Sequence, residues 1–137
     1  MKRILLTLTT FVSFSFGNAH AQIGWTLDQC RKHWGRENTS HPHGKTEYKF
    51  GSKIEKIVTF DQQGKVNDVL YLANWNMLKI PILLAMEEGI TWEIDPDIER
   101  TSRYEFWIGK KDGVIILYAR YFISKIGEEF EVTTTKW

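Results

Sequence analysis

The sequence predicts an α+β fold: one antiparallel sheet of six or seven strands with two short helices on one face. Three observations carry that prediction. Two short helical patterns, at 26–35 and 81–89, are each followed by a series of alternating or apolar segments. Those segments are joined by turn clusters, Gly51-Ser52-Lys53, Asp61-Gln62-Gln63-Gly64 and Lys110-Lys111-Asp112-Gly113, of the kind that connect antiparallel neighbours. Val114-Ile115-Ile116-Leu117 is apolar at successive positions, as a strand placed centrally in a sheet is expected to be.

Before the first helix, Met1-Lys2-Arg3 gives a positive start, Ile4 to Phe16 a mostly apolar run, and Ala19-His20-Ala21 a small-residue cleavage site. That order is the pattern of a secretory signal peptide, with cleavage expected after Ala21 and an exported product, periplasmic or secreted. A membrane span needs about 20 apolar residues, and this run is shorter and interrupted by hydroxyls. Cys30 follows Leu27-Asp28-Gln29, far from the small residues that a lipidated cysteine requires, so lipidation is rejected. Loss of residues 1–21 removes Lys2 and Arg3 from the 18 basic residues, leaving 16 against 17 acidic ones and a net charge of −1. A chain so nearly neutral has no electrostatic footprint for nucleic acid or an anionic membrane. Residues 22–137 are expected to form a single α+β domain, and one cysteine cannot form an internal disulfide.

The first helix opens with Thr26 as N-cap and Gln29 three residues on, a capping box, while Trp25 is placed to staple onto Cys30. Leu27, Cys30 and Trp34 share one face, and Gly35 ends the helix. Strands are expected at 45–50, 54–60 and 66–73, closing a first module at about 25–73. Pro81 suits the first turn of a second helix running to Glu88, with Gly89 as its stop. Ile90 to Ile94 alternates as a strand, Asp95-Pro96-Asp97 breaks the chain, and three further strands follow at 104–108, 114–122 and 130–134. This second module covers about 80–135.

The capped helix closing on Gly35, the aromatic strand around Tyr48-Lys49-Phe50, and Ile57-Val58-Thr59-Phe60-Asp61-Gln62-Gln63-Gly64-Lys65-Val66 together resemble the α-β-β-β module of the SmpA/OmlA (BamE-like) and β-lactamase-inhibitor-like folds. The detailed match spans about 25–73, and the second module matches in order of elements. Arg36-Glu37 stands where that pattern often has Pro after the Gly. The resemblance implies a small exported bacterial protein serving as a binding scaffold, sometimes in tandem modules.

Cys30 to His43 holds the only cysteine and three of the four histidines. Cys30, His33, His41 and His43 are residue types that suit Zn²⁺ or copper, which makes a metal-binding protein one alternative reading. The spacing matches no established metal motif, and His33 lies about 60° round the helix from Cys30, at the edge of the apolar face. The favoured reading is a buried core Cys, a boundary His and a solvated His-Pro-His loop. A small hydrolase or thiol enzyme is the other alternative; it needs an accessible thiolate beside an imidazole, and the staple buries this thiol. Asp95-Pro96-Asp97-Ile98-Glu99 alternates carboxylates but lacks the Gly and distal Glu of a calcium loop, and reads as a polar turn.

Two short helices can cover only one side of such a sheet. The other side is expected to carry Lys56, Thr59, Arg103, Glu105, Trp107, Tyr118, Arg120, Glu129, Glu131 and Thr133 in some register. Trp75, between the modules, is expected to be exposed. Trp75, Trp107, Tyr118 and Arg120 are therefore the candidate binding residues, for a protein partner and without a cofactor, because exposed aromatics and Arg mark protein interfaces. The reading is a non-enzymatic binding or inhibitor-like module.

Overall fold

The structure is a computed structural model that describes residues 22–40, 46–99 and 101–137. The expected signal sequence and the His41-Pro42-His43 stretch lie outside the described residues. In order, the elements are α1 (Leu27–Trp34), β1 (Thr39–Ser40), β2 (Glu47–Phe50), β3 (Glu55–Phe60), β4 (Val66–Ala73), α2 (Ile80–Ala85), β5 (Thr91–Ile94), β6 (Tyr104–Lys111), β7 (Val114–Ile123) and β8 (Glu128–Thr133). All strands join one sheet in the order β1-β2-β3-β4-β8-β7-β6-β5, with every pairing antiparallel. β1 is a two-residue bridge onto β2 that the sequence did not predict. Each half of the chain supplies a helix and then a meander, and the meanders meet where β4 lies against β8. Among the described residues no helix is long and apolar enough to cross a membrane.

The start of α1 follows its sequence pattern. Thr26 Oγ1 accepts from the Gln29 N–H at 3.2 Å, and Gln29 Oε1 accepts from the Thr26 N–H at 2.8 Å. The reciprocal bonds satisfy two donors that a helix end leaves orphaned. Trp25 and Cys30 are both buried, as a staple requires. Gly35 ends the helix at φ 82°, its N–H reaching the Arg31 carbonyl at 2.8 Å. α2 is weaker: Lys79 gives no side-chain cap, Pro81 takes the second helical position, and the helix ends at Ala85 instead of Glu88.

Register then decides which side chains are core, because neighbours along a strand point to opposite faces. One row across the sheet reads Val58, Val69, Val132, Ala119, Trp107, and every member is buried. The next row reads Lys56, Tyr71, Phe130, Tyr121, Glu105. Cys30 of α1 and Leu83 of α2 belong to the same apolar cluster as Val69 and Phe130, so both helices cover this one face.

Three expectations are corrected here. Trp107 is in the core, 7% exposed, with its ring edge-on to Phe130 at 6.1 Å, while Tyr104, on the opposite face, is exposed. Glu105 on the same face as Trp107 pointed that face toward solvent, but the indole fills the room beside the small Ala119. Lys56 and Glu105 share that covered face, Lys56 Nζ lying 5.3 Å from the centre of the Trp34 ring. Finally, β7 is flanked by β6 and β8, but its pairing with β8 begins only at Tyr118. Val114, Ile115 and Ile116 therefore overhang the sheet and are exposed. Their hairpin closes on Asp112 (φ 53°) and Gly113 (φ 78°), the two positive-φ residues of a tight two-residue turn. Further along β6, a Cβ on Gly109 would meet Ile90 and Trp92 side-chain atoms at 2.8 Å, so the Trp92 ring packs there only because position 109 has no side chain.

Candidate functional site on the uncovered sheet face

On the opposite face the rows are Lys49, Ile57, Leu70, Glu131, Arg120, Phe106 and, beside it, Thr59, Asp68, Thr133, Tyr118, Ile108. Among the described residues both helices pack on the other side. Of the described residues, it is 134–137 that fold back onto it. At the centre, Arg120 on β7 faces Glu131 on β8, with Nε donating to Glu131 Oε1 at 3.0 Å and a terminal nitrogen 2.8 Å from the same oxygen. The Glu131 side chain is largely shielded, whereas the Arg120 side chain is 41% exposed.

Asp68 on β4 sits diagonally across from Glu131. Burial and then a hydrogen bond and charge repulsion from Glu131 hold its carboxyl well above the ordinary range, against opposing contributions from the Thr133 hydroxyl and Arg120. Asp68 thus holds its proton more tightly than an ordinary aspartate, beside the Arg120–Glu131 ion pair.

Trp137 lies on this cluster. Its Nε1–H donates to Glu131 Oε1 at 3.0 Å, the Arg120 guanidinium stacks 4.4 Å from the indole centre, and the Phe106 ring meets it edge-on at 6.0 Å. Lys136 pairs with Asp95 at 3.5 Å and lies 6.0 Å from the Tyr118 ring. Beside the indole, Leu70, Arg120, Phe122, Glu129 and Glu131 line a shallow cavity of about 240 Å³. At the rim, Lys110 pairs with Glu93 and Lys49 with Glu55, both at 3.1 Å.

Of the four predicted binding residues, Tyr118 and Arg120 are brought together at this centre. Trp107 is not; it faces the core. Trp75 is 59% exposed but lies at one end of the sheet, its Nε1–H on the Ser124 carbonyl at 3.1 Å. It lines a separate cavity of about 490 Å³ with Asn76, Arg103, Ile123, Ser124, Lys125 and Glu128. Asp68, Phe106 and Trp137 were missed. Alternation on 66–73 and 104–111 allows either face, and nothing local in the sequence shows that Trp137 returns to the sheet.

The cysteine and histidine cluster does not assemble in the described part. Cys30 is wholly buried, and burial pushes its thiol up to about 12, only partly offset by a backbone hydrogen bond. His33 stands outside, stacked on Trp25 at 4.5 Å. Among the described residues no three His, Cys, Asp or Glu side chains are grouped to hold an ion. Asp95 instead builds a turn, with Oδ1 accepting from the Asp97 N–H at 2.9 Å.

Compared with known proteins, the chain matches no family model, and neither a characterised protein nor a solved structure matches it. The site must be read from its own chemistry. It offers a flat surface with an Arg120–Glu131 ion pair at its centre, Asp68 beside it, lysines toward its edges and aromatic side chains around it.

The covered side has polar groups of another kind. Glu87 is buried beneath the segment that precedes α1 and accepts from the Ile23 N–H at 3.2 Å; burial raises its carboxyl to about 7. Glu128 accepts from the Met77 and Leu78 N–H groups at 3.0 and 2.9 Å and from the Tyr121 hydroxyl, tying the approach to α2 onto β8. These contacts bind elements to the sheet and face no opening toward Arg120.

Proposed function

We propose that this chain is an exported, non-enzymatic binding module, inhibitor-like in mode of action, that works through protein–protein contacts on the uncovered sheet face. One observation carries the reading: Tyr118, Arg120, Phe106 and Phe122 share a face that neither described helix covers, around a partly shielded Arg–Glu pair. Aromatic and Arg side chains at the centre of a flat patch are the composition that concentrates binding energy at protein interfaces. The charge-and-apolar pattern of residues 1–21 supports export. Two helix-then-meander halves joined at β4–β8 support the reading of tandem α-β-β-β modules and the resemblance to the SmpA/OmlA and β-lactamase-inhibitor-like folds, whose warrant is fold analogy. The burial of Cys30 favours neither a metal ligand nor a nucleophile at that position.

The test places a photo-crosslinking amino acid at Tyr118 and, as a control, at exposed Lys65 in the β3–β4 turn. A discrete protein adduct from the exported fraction is expected at 118, absent at 65 and abolished by Arg120→Ala. The same adducts at both positions, or an adduct that survives Arg120→Ala, would remove the proposal.

A further inference from the structure

The indole of Trp137 is held by three groups at once, and each selects for a feature of tryptophan. The Glu131 carboxylate takes the N–H, the Arg120 guanidinium covers the ring face, and the Phe106 edge closes one side. A cation over the ring and an anion at the N–H act on complementary parts of the same side chain. Lys136 adds a fourth element, its ammonium lying between Asp95 and the Tyr118 ring. Trp137 is nonetheless 47% exposed, so the seat is recessed enough to orient an indole and open enough to release it.

We infer that the Phe106–Arg120–Glu131 seat recognises a partner segment in which a basic residue precedes a tryptophan, and that Lys136–Trp137 occupies this seat as an intramolecular competitor. The inference rests on the docking reading of this face and names the chemistry of the segment that docks. A partner must displace the chain's own pair. A short tether holds that pair at an effective concentration in the millimolar range, so partners weaker than this are excluded and stronger ones exchange with it. The seat therefore sets a threshold of affinity without any movement of the sheet.

The probe is the acetylated, amidated peptide Thr-Thr-Thr-Lys-Trp, the chain's own 133–137 sequence, titrated into the full chain and into Trp137→Ala while backbone amide resonances are followed. Saturable, sub-millimolar binding is expected in Trp137→Ala, at least tenfold tighter than in the unaltered chain, with shifts centred on 106, 120 and 131. A peptide carrying 1-methyltryptophan, which lacks the N–H, should bind at least tenfold more weakly, a control that needs no further change in the protein. Equal binding to both chains, no saturation by several millimolar, or indifference to the methyl group would overturn the inference. Peptide binding without a crosslink at residue 118 would leave the seat standing and remove the docking reading. A crosslink at 118 without peptide binding would do the reverse.

Discussion

The two faces of the sheet are built from the same strands, yet they solve different problems. Across the covered face, Val58, Val69, Val132, Ala119 and Trp107 form an unbroken apolar row under two helices. Across the other, the adjacent positions Leu70, Glu131, Arg120 and Phe106 set a central charged pair between apolar groups, and among the described residues 134–137 return over them. Burial is continuous on the first and discontinuous on the second. Continuous burial stabilises the fold by excluding water, and a mixed surface that keeps its charges partly solvated costs little to expose and little to cover. One residue of strand alternation separates the side chains that build the core from those proposed for recognition.

Substitutions can break that comparison. Phe130→Ala, at a fully buried position on the covered side, should cost about 3–5 kcal/mol, whereas Leu70→Ala on the open side should cost about half as much or less. Paired denaturant titrations measure both. Equal losses would mean that the second face is covered after all.

The buried carboxyl on the helix side gives the next effect. Glu87 rises from an ordinary 4.5 to about 7, so the folded state holds its proton where the unfolded chain has released it. Its contribution is fully present below about pH 4.5 and is lost as pH climbs through 7, amounting to about 3 kcal/mol at 1.4 kcal/mol per unit. Asp68, also raised, acts with the same sign from the opposite face. Stability measured from pH 5 to pH 8 should therefore fall, and Glu87→Gln should remove part of that slope, leaving the part due to Asp68. A slope unchanged by the substitution would place the titrating group elsewhere, with Asp68→Asn as the next variant to read.

Gly109→Ala comes third. The added methyl meets Ile90 and Trp92 at 2.8 Å, and displacing the indole should cost about 1–3 kcal/mol in thermal or chemical unfolding. The smallest effect is the sharpest for function. Trp137→Ala removes a half-exposed ring from a partly shielded Arg–Glu pair and should shift stability by under about 1 kcal/mol. A larger loss would make residue 137 a structural clasp.

Much of the architecture was legible because its signals are local. Thr26 and Gln29 announce a helix start through two hydrogen bonds three residues apart, and Asp112-Gly113 announces a hairpin through the φ angles it tolerates. The antiparallel α+β class follows from such punctuation. Facing is a different matter. On 104–108 the set holding the charged Glu105 is the one that turned inward, so the covered set was chosen by what packs above it, and Trp107 went with it. The overhang of Val114 to Ile116 depends on where β8 stops, which no residue within 114–117 encodes. The candidate site was half legible: Tyr118, Arg120 and Glu131 alternate onto one face, while Asp68 joins them through the β4–β8 register and Trp137 through a return of the chain.

The decisive measurement reads unfolding midpoint and crosslinking yield at residue 118 on the same two variants, Arg120→Ala and Val69→Ala. The account predicts that Arg120→Ala melts within a few degrees of the unaltered chain and loses the adduct. It predicts that Val69→Ala melts well below it and, at temperatures where it stays folded, keeps the adduct. The contrary result, an Arg120→Ala protein that still forms the adduct while Val69→Ala folds stably without it, would show that recognition lies outside the uncovered face.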